Sequence, residues 1–292
     1  MPLDRRQLLT VLGIASLAGC APDPTIHGDP AHVAPAEPTQ GPAVVELATA
    51  LAGLQRAIGD EPDPWRGAAT AQVEEWGERL RLLEPLEGGD PHFPAPTAGT
   101  TEGLAEALTA TTTAALRAAE SAEGQAMRLL HLSILAGATG LGNTALPPVT
   151  DGAAPARFVD VPTSQVLPVT LSHVLALLQG LERGLGLLGR DDPAKEQVAT
   201  RRGEVRLLRN RITEAIGSNR PLQDAHYELP PIDATTFGPV WAGLELAVLG
   251  GLLGLAATQD SWVDPAVSQV SKAQAAGAQL PTWPGWVSGP TG

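Results

Sequence analysis

Beyond residue 41, apolar side chains recur at three- and four-residue spacings, and short clusters of Pro, Gly and Asp interrupt the pattern. That period belongs to helices that bury one face. It predicts helices over about 42–58, 65–84, 101–119 and 122–141, and again over 165–189, 193–217, 234–258 and 264–280. The breaks between them are explicit: "GDEPDP", "EPLEGGDPHFPAPTAG", "ESAEG", "GRDDP", "SNRPLQDAHYELPPID" and "QDSWVDP". Asp192-Pro193 and Asp264-Pro265 each place a capping carboxylate before a proline at the first helical position. Alternating strand patterns are nearly absent, so the fold class is all-α. Each half reads helix, short turn, helix, long proline-rich connection, helix, short turn, helix, and "LAGLQRAIGDEPDP" faintly echoes "LLQGLERGLGLLGRDDP".

Composition sharpens this picture. Ala, Leu and Gly abound while the chain has one Tyr and three Phe, which favours helices packed closely through small side chains. The net charge of −13 argues against a nucleic-acid partner and against electrostatic adhesion to anionic lipid. One cysteine cannot form an intramolecular disulfide, so packing must hold the fold.

That cysteine sits in "LDRRQLLTVLGIASLAGCAP", behind a cationic pair, Arg5 and Arg6, and an apolar run from Leu8 to about Leu17. The run is too short to span a bilayer and fits an export signal. Leu17-Ala18-Gly19-Cys20 resembles the lipobox of bacterial lipoproteins, in which the thiol is alkylated with diacylglycerol and becomes the new N-terminus. Asp4 to Leu9 resembles the twin-arginine signal. These readings imply a signal peptide over 1–19, lipidation at Cys20, and a disordered tether over 20–41 rich in Pro and Ala. The expected location is the extracytoplasmic face of the membrane, which the lipid makes a partner.

Residues 201–258 carry a further likeness. A basic helix is followed by Ala225-His226-Tyr227-Glu228-Leu229-Pro230, then by a helix bearing Leu244-Glu245, and the chain closes on Trp283-Pro284-Gly285. This resembles the C-terminal ferritin-like domain of unknown function in actinobacterial lipoproteins. The resemblance implies a ferritin-like four-helix bundle over 165–286, joined by a linker at 142–164 to a preceding helical region at 42–141.

Iron-handling bundles of that kind need a Glu-x-x-His pair on each of two helices, because the i, i+3 spacing aims both ligands at one metal. Glu245, Glu204 and Glu182 are followed three residues on by Val248, Leu207 and Leu185, and no such pair exists in either half. His173, Glu204 and Glu245 remain weak metal candidates, while His131 and His173 read as core or boundary histidines. Motifs of nucleophilic, nucleotide-binding and zinc enzymes are absent as well. Glu245 stands alone in the uncharged stretch "VWAGLELAVLGGLLGLAA", which reads as a buried bundle helix rather than a membrane span. A buried carboxylate requires a partner, and Arg202, Arg206 and Arg209 of the neighbouring helix are the expected donors. Trp283 and Trp286 are expected to cover the open end of the bundle. The sequence therefore points to a non-catalytic interaction or structural module without a cofactor; a metal-binding or redox protein, or a small-molecule binder using the bundle interior, are the alternatives.

Overall fold

The computed structural model describes residues 39–82, 103–150, 161–218 and 227–285. The signal, Cys20 and the tether up to residue 38 lie outside the described residues, as do His226 and Trp286. The described residues form α1 (Pro42–Ile58), α2 (Trp65–Leu80), α3 (Leu104–Glu120), α4 (Gln125–Leu141), α5 (Thr163–Leu187), α6 (Ala194–Ile216), α7 (Phe237–Thr258) and α8 (Val263–Ala275). A single 3-10 turn, Asp260–Trp262, leads into α8, and among the described residues Val149 and Pro281 form an isolated bridge without any strand. The protein is all-α, with the architecture of a helical bundle.

Local chemistry moves two of the helix ends from where periodicity put them. The last helix stops at Ala275 rather than 280, because Gly277 turns to φ +87° and Ala278 donates to the Ala273 carbonyl at 2.9 Å. A left-handed glycine just past the last turn closes a helix this way. The seventh helix starts at Phe237 rather than 234, because Asp233 Oδ1 gathers the Thr235 and Thr236 amides and both hydroxyls into a turn. These bonds, the Thr235 hydroxyl first, hold the Asp233 carboxyl down at about 2.

The two halves share one contact scheme. α1 packs on α2 and α3, and α3 on α4; in the same order α5 packs on α6 and α7, and α7 on α8. Small residues permit the close approaches. A Cβ on Gly184 of α5 would stand 2.0 Å from the Phe237 ring of α7, and one on Gly137 of α4 would stand 2.3 Å from the Trp76 ring of α2.

α4 joins the halves, since it packs on α3 in one and on α7 and α8 in the other. From Leu130 to Leu141 it is buried on nearly every side. Arg128, near its start, donates to the Ala256 carbonyl at 3.0 Å and pairs with Asp260, so a cation closes the C-terminal end of α7. The segment after α8 makes a second joint. Trp76 Nε1 donates to the Thr282 carbonyl at 2.8 Å, and Val149 N donates to Leu280 at 2.8 Å. Trp283 is buried, and Gly285 lies against Leu253 of α7. This tail thus occupies the seam between the halves rather than an open bundle end.

His131 sits in that central helix, 1 % exposed, and neither ring nitrogen makes a hydrogen bond of normal geometry. Burial pushes its pKa from 6.5 down to about 4, opposed by the nearby carbonyl of Ala118. The folded protein therefore holds a neutral imidazole at pH values where the unfolded chain binds a proton. This group costs no stability above pH 6.5, and acidification towards 4 destabilises the fold through it by an amount on the order of 3 kcal/mol. His131→Leu should flatten urea-unfolding stability measured across that interval; an unchanged slope would show that other groups govern it. His173, whose pKa burial also lowers, leaves a residual slope of the same sign in the variant.

Candidate functional site: a buried ionic network

α6 is a charged helix with a narrow apolar seam: Val198, Val205 and Ile212 are buried, and Arg201 lies in phase with them. Its guanidinium consequently enters the bundle. α5 flanks both α6 and α7, and side chains link α6 to α8, where Gln197 Nε2 donates to the Ala275 carbonyl at 3.1 Å. Arg201 reaches across the remaining diagonal, from α6 to α7.

Glu245 waits there with no exposed surface. Arg201 Nε donates to its Oε1 at 2.8 Å and Nη2 to its Oε2 at 2.7 Å, a bidentate pair. Trp241, one turn earlier on α7, donates its indole N–H to Oε1 at 2.8 Å. Gln269 of α8 donates Nε2 to Oε2 at 2.6 Å and accepts from Arg201 Nη2 at 2.8 Å. Each carboxylate oxygen thus accepts two hydrogen bonds, which exhausts its lone-pair directions. Burial pushes the Arg201 guanidinium down, but bonding to and attraction by Glu245 and Glu204 outweigh this and hold its pKa above the ordinary arginine value.

The partner of Glu245 is Arg201, and not Arg202, Arg206 or Arg209. Those three do share a helix face, but a residue step turns an α-helix by about 100°, and their face is rotated away from the apolar seam. Arg202 keeps a buried Nε without a hydrogen-bond partner, Arg206 pairs with Glu182 at 3.0 Å near the surface, and Arg209 bonds its neighbour Asn210. The spacing of Arg201, three after Val198 and four before Val205, was the signal that identifies the inward arginine. Trp241 one turn before Glu245 was a second available signal; nothing in the spacing pointed to Gln269.

The three metal candidates do not come together. Glu204 lies at the edge of the network, where its Oε2 accepts from Arg201 Nη1 at 2.9 Å and stands 3.6 Å from Lys272 Nζ. His173 is half-buried on α5, with burial lowering its pKa. Among the described residues no three of His, Cys, Asp and Glu form a group that could hold a metal ion. A metal at Glu245 would have to displace N–H donors and sit beside a fixed positive charge, so these residues do not fit the centre of an iron-handling bundle.

By length and composition α5 and α7 could each cross a bilayer. The apolar surface of α7 is nevertheless largely taken up by α4, α5 and α8.

Removing one member of a buried pair strands the other. Glu245→Ala and Arg201→Met should each lower unfolding stability by about 3–5 kcal/mol, and Glu245→Gln should cost less than Glu245→Ala. The double variant Arg201→Met/Glu245→Leu should cost clearly less than the sum of the single changes in denaturant titrations. Strict additivity would mean that the two side chains are not energetically coupled. Comparison with protein-family models, with curated proteins and with solved structures yields no match for this chain.

Proposed function

We propose that the protein is a lipid-anchored component of the extracytoplasmic membrane face. Its last four helices would form a ferritin-like bundle that has given up metal chemistry, and it would act as a non-catalytic interaction or structural module. The observation that carries the reading is the Arg201 guanidinium across the bundle axis. It bonds both oxygens of Glu245, the one fully buried acid of this half among the described residues, at 2.8 and 2.7 Å. In this reading a permanent cation would take the place where ferritin-like proteins collect carboxylates around metal ions. The helix–turn–helix order with a long central connection, present in both halves, supports the bundle type. The apolar run ending in Leu17-Ala18-Gly19-Cys20 supports the anchor, in which two or more acyl chains hold a protein at the membrane durably.

Cys20→Ala should abolish acylation, detected as loss of the lipid mass on the mature N-terminus, and should move the protein out of the membrane fraction. Unchanged membrane fractionation of that variant removes the anchor from the reading. Elemental analysis of gently purified protein should find no stoichiometric iron or manganese. Stoichiometric metal that disappears in His173→Ala would reverse the assignment in favour of a metal-binding protein.

A further inference from the structure

Outside the bundle axis, α6, α7 and α8 enclose a groove of about 450 Å³ to which Thr200, Arg201, Glu204, Trp241, Lys272 and Ala275 contribute. This is the size range of small-ligand sites. Its inner wall is pre-organised. The Arg201 side chain is 7 % exposed, and its Nε and Nη2 are committed to Glu245 and Gln269, which leaves Nη1 as the nitrogen with bonding capacity on the Glu204 side. Trp241 is held in the same way, by its indole N–H on Glu245.

Two cations meet at one point of this groove. Arg201 Nη1 lies 2.9 Å and Lys272 Nζ 3.6 Å from the same oxygen, Oε2 of Glu204. The Glu204 side chain is 44 % exposed, and its hold on Lys272 is longer than a hydrogen bond. An exposed pair of this kind contributes little stability, so what Glu204 gives up on turning into water is its bond to Arg201 Nη1 at 2.9 Å, which a ligand carboxylate in the same place restores. The guanidinium cannot follow it, because the buried carboxylate of Glu245 fixes the other edge. What then remains is an arginine N–H and a lysine ammonium aimed at the position of a single carboxylate oxygen, beside the Trp241 ring and the small side chains of Thr200 and Ala275.

We propose that the groove binds a small organic monocarboxylate, and that Glu204 is the built-in occupant which the ligand displaces. The ligand carboxylate takes the place of Oε2 between Arg201 and Lys272, and its apolar part lies along Trp241 and Ala275. Glu196 also lines the groove, and with Glu245 behind Arg201 the surroundings favour a single negative charge over a multiply charged phosphate. The proposal is independent of the membrane anchor and goes beyond the reading of the bundle as an interaction module, since it names a ligand class and a site.

The test is a calorimetric titration of the purified full-length chain with linear carboxylates from acetate to octanoate, with the matching alcohols and inorganic phosphate as controls. Carboxylates should bind and the alcohols should not. Glu204→Gln should tighten binding by about tenfold, because it neutralises the internal competitor. Lys272→Met should weaken it by about tenfold, the equivalent of about 1.4 kcal/mol. Both residues lie outside the buried pair, so both variants keep the network that folds the bundle. Absence of carboxylate binding in wild type and in Glu204→Gln would overturn the proposal. So would equal affinity in Lys272→Met and wild type, or phosphate binding as tightly as the carboxylates.

Discussion

A carboxylate with no solvent exposure dictates how the second half of this molecule is assembled. An ionised group in an apolar interior is tolerable only when its charge is balanced and its lone pairs are filled. Glu245 achieves this with four donor contacts drawn from three helices. α6 must be turned so that Arg201 points inward, and α8 must stand at the height where Gln269 reaches both Glu245 and Arg201. Replacing this set by leucines and methionines could fill the same volume, but would remove the directional bonds that tie α6 and α8 to Glu245 of α7. The polar network therefore adds directional bonds to the apolar packing of these helices.

Small residues explain how long apolar helices lie so near each other. Gly180 and Gly184 on α5 leave room for Leu244 and Phe237 of α7, and Gly251 of α7 leaves room for Thr170 of α5. The recesses on each helix receive side chains from the other, as in close-packed helix pairs generally. In the first half the Trp76 ring fills the recess at Gly137, and its indole N–H is satisfied by the tail carbonyl of Thr282. One tryptophan thereby packs α2 against α4 and ties the C-terminal segment to the N-terminal half.

Much of this architecture was legible in the chain. The eight helices and their order follow from apolar period and from Pro, Gly and Asp breaks, because those signals act locally. Errors at the ends have local causes that period alone cannot reveal, such as the left-handed Gly277 and the Asp233 turn. The burial and pairing of Glu245 were also legible, since a solitary charge in a long apolar stretch leaves few alternatives. The identity of its arginine was not read correctly. Four of the arginines on α6 lie within reach along the helix, and only their phase against Val198, Val205 and Ile212 separates Arg201 from the other three. Gln269 and the role of α4 as the joint depend on which helices meet in space, which no spacing within one helix encodes.

His131 and Arg201 are two buried titratable groups treated in opposite ways. His131 is buried without a well-formed hydrogen bond, so it stays neutral, and burial alone is enough to bring its pKa down to about 4. Arg201 is buried with two carboxylates against it, and its pKa is raised rather than lowered. A guanidinium does not lose its proton in any accessible pH range, so the cation of the network is permanent. Acidification charges the imidazole in α4 as pH falls towards 4. Because α4 packs against α3 on one side and against α7 and α8 on the other, protonation there puts a charge without a well-formed hydrogen bond at the joint between the halves.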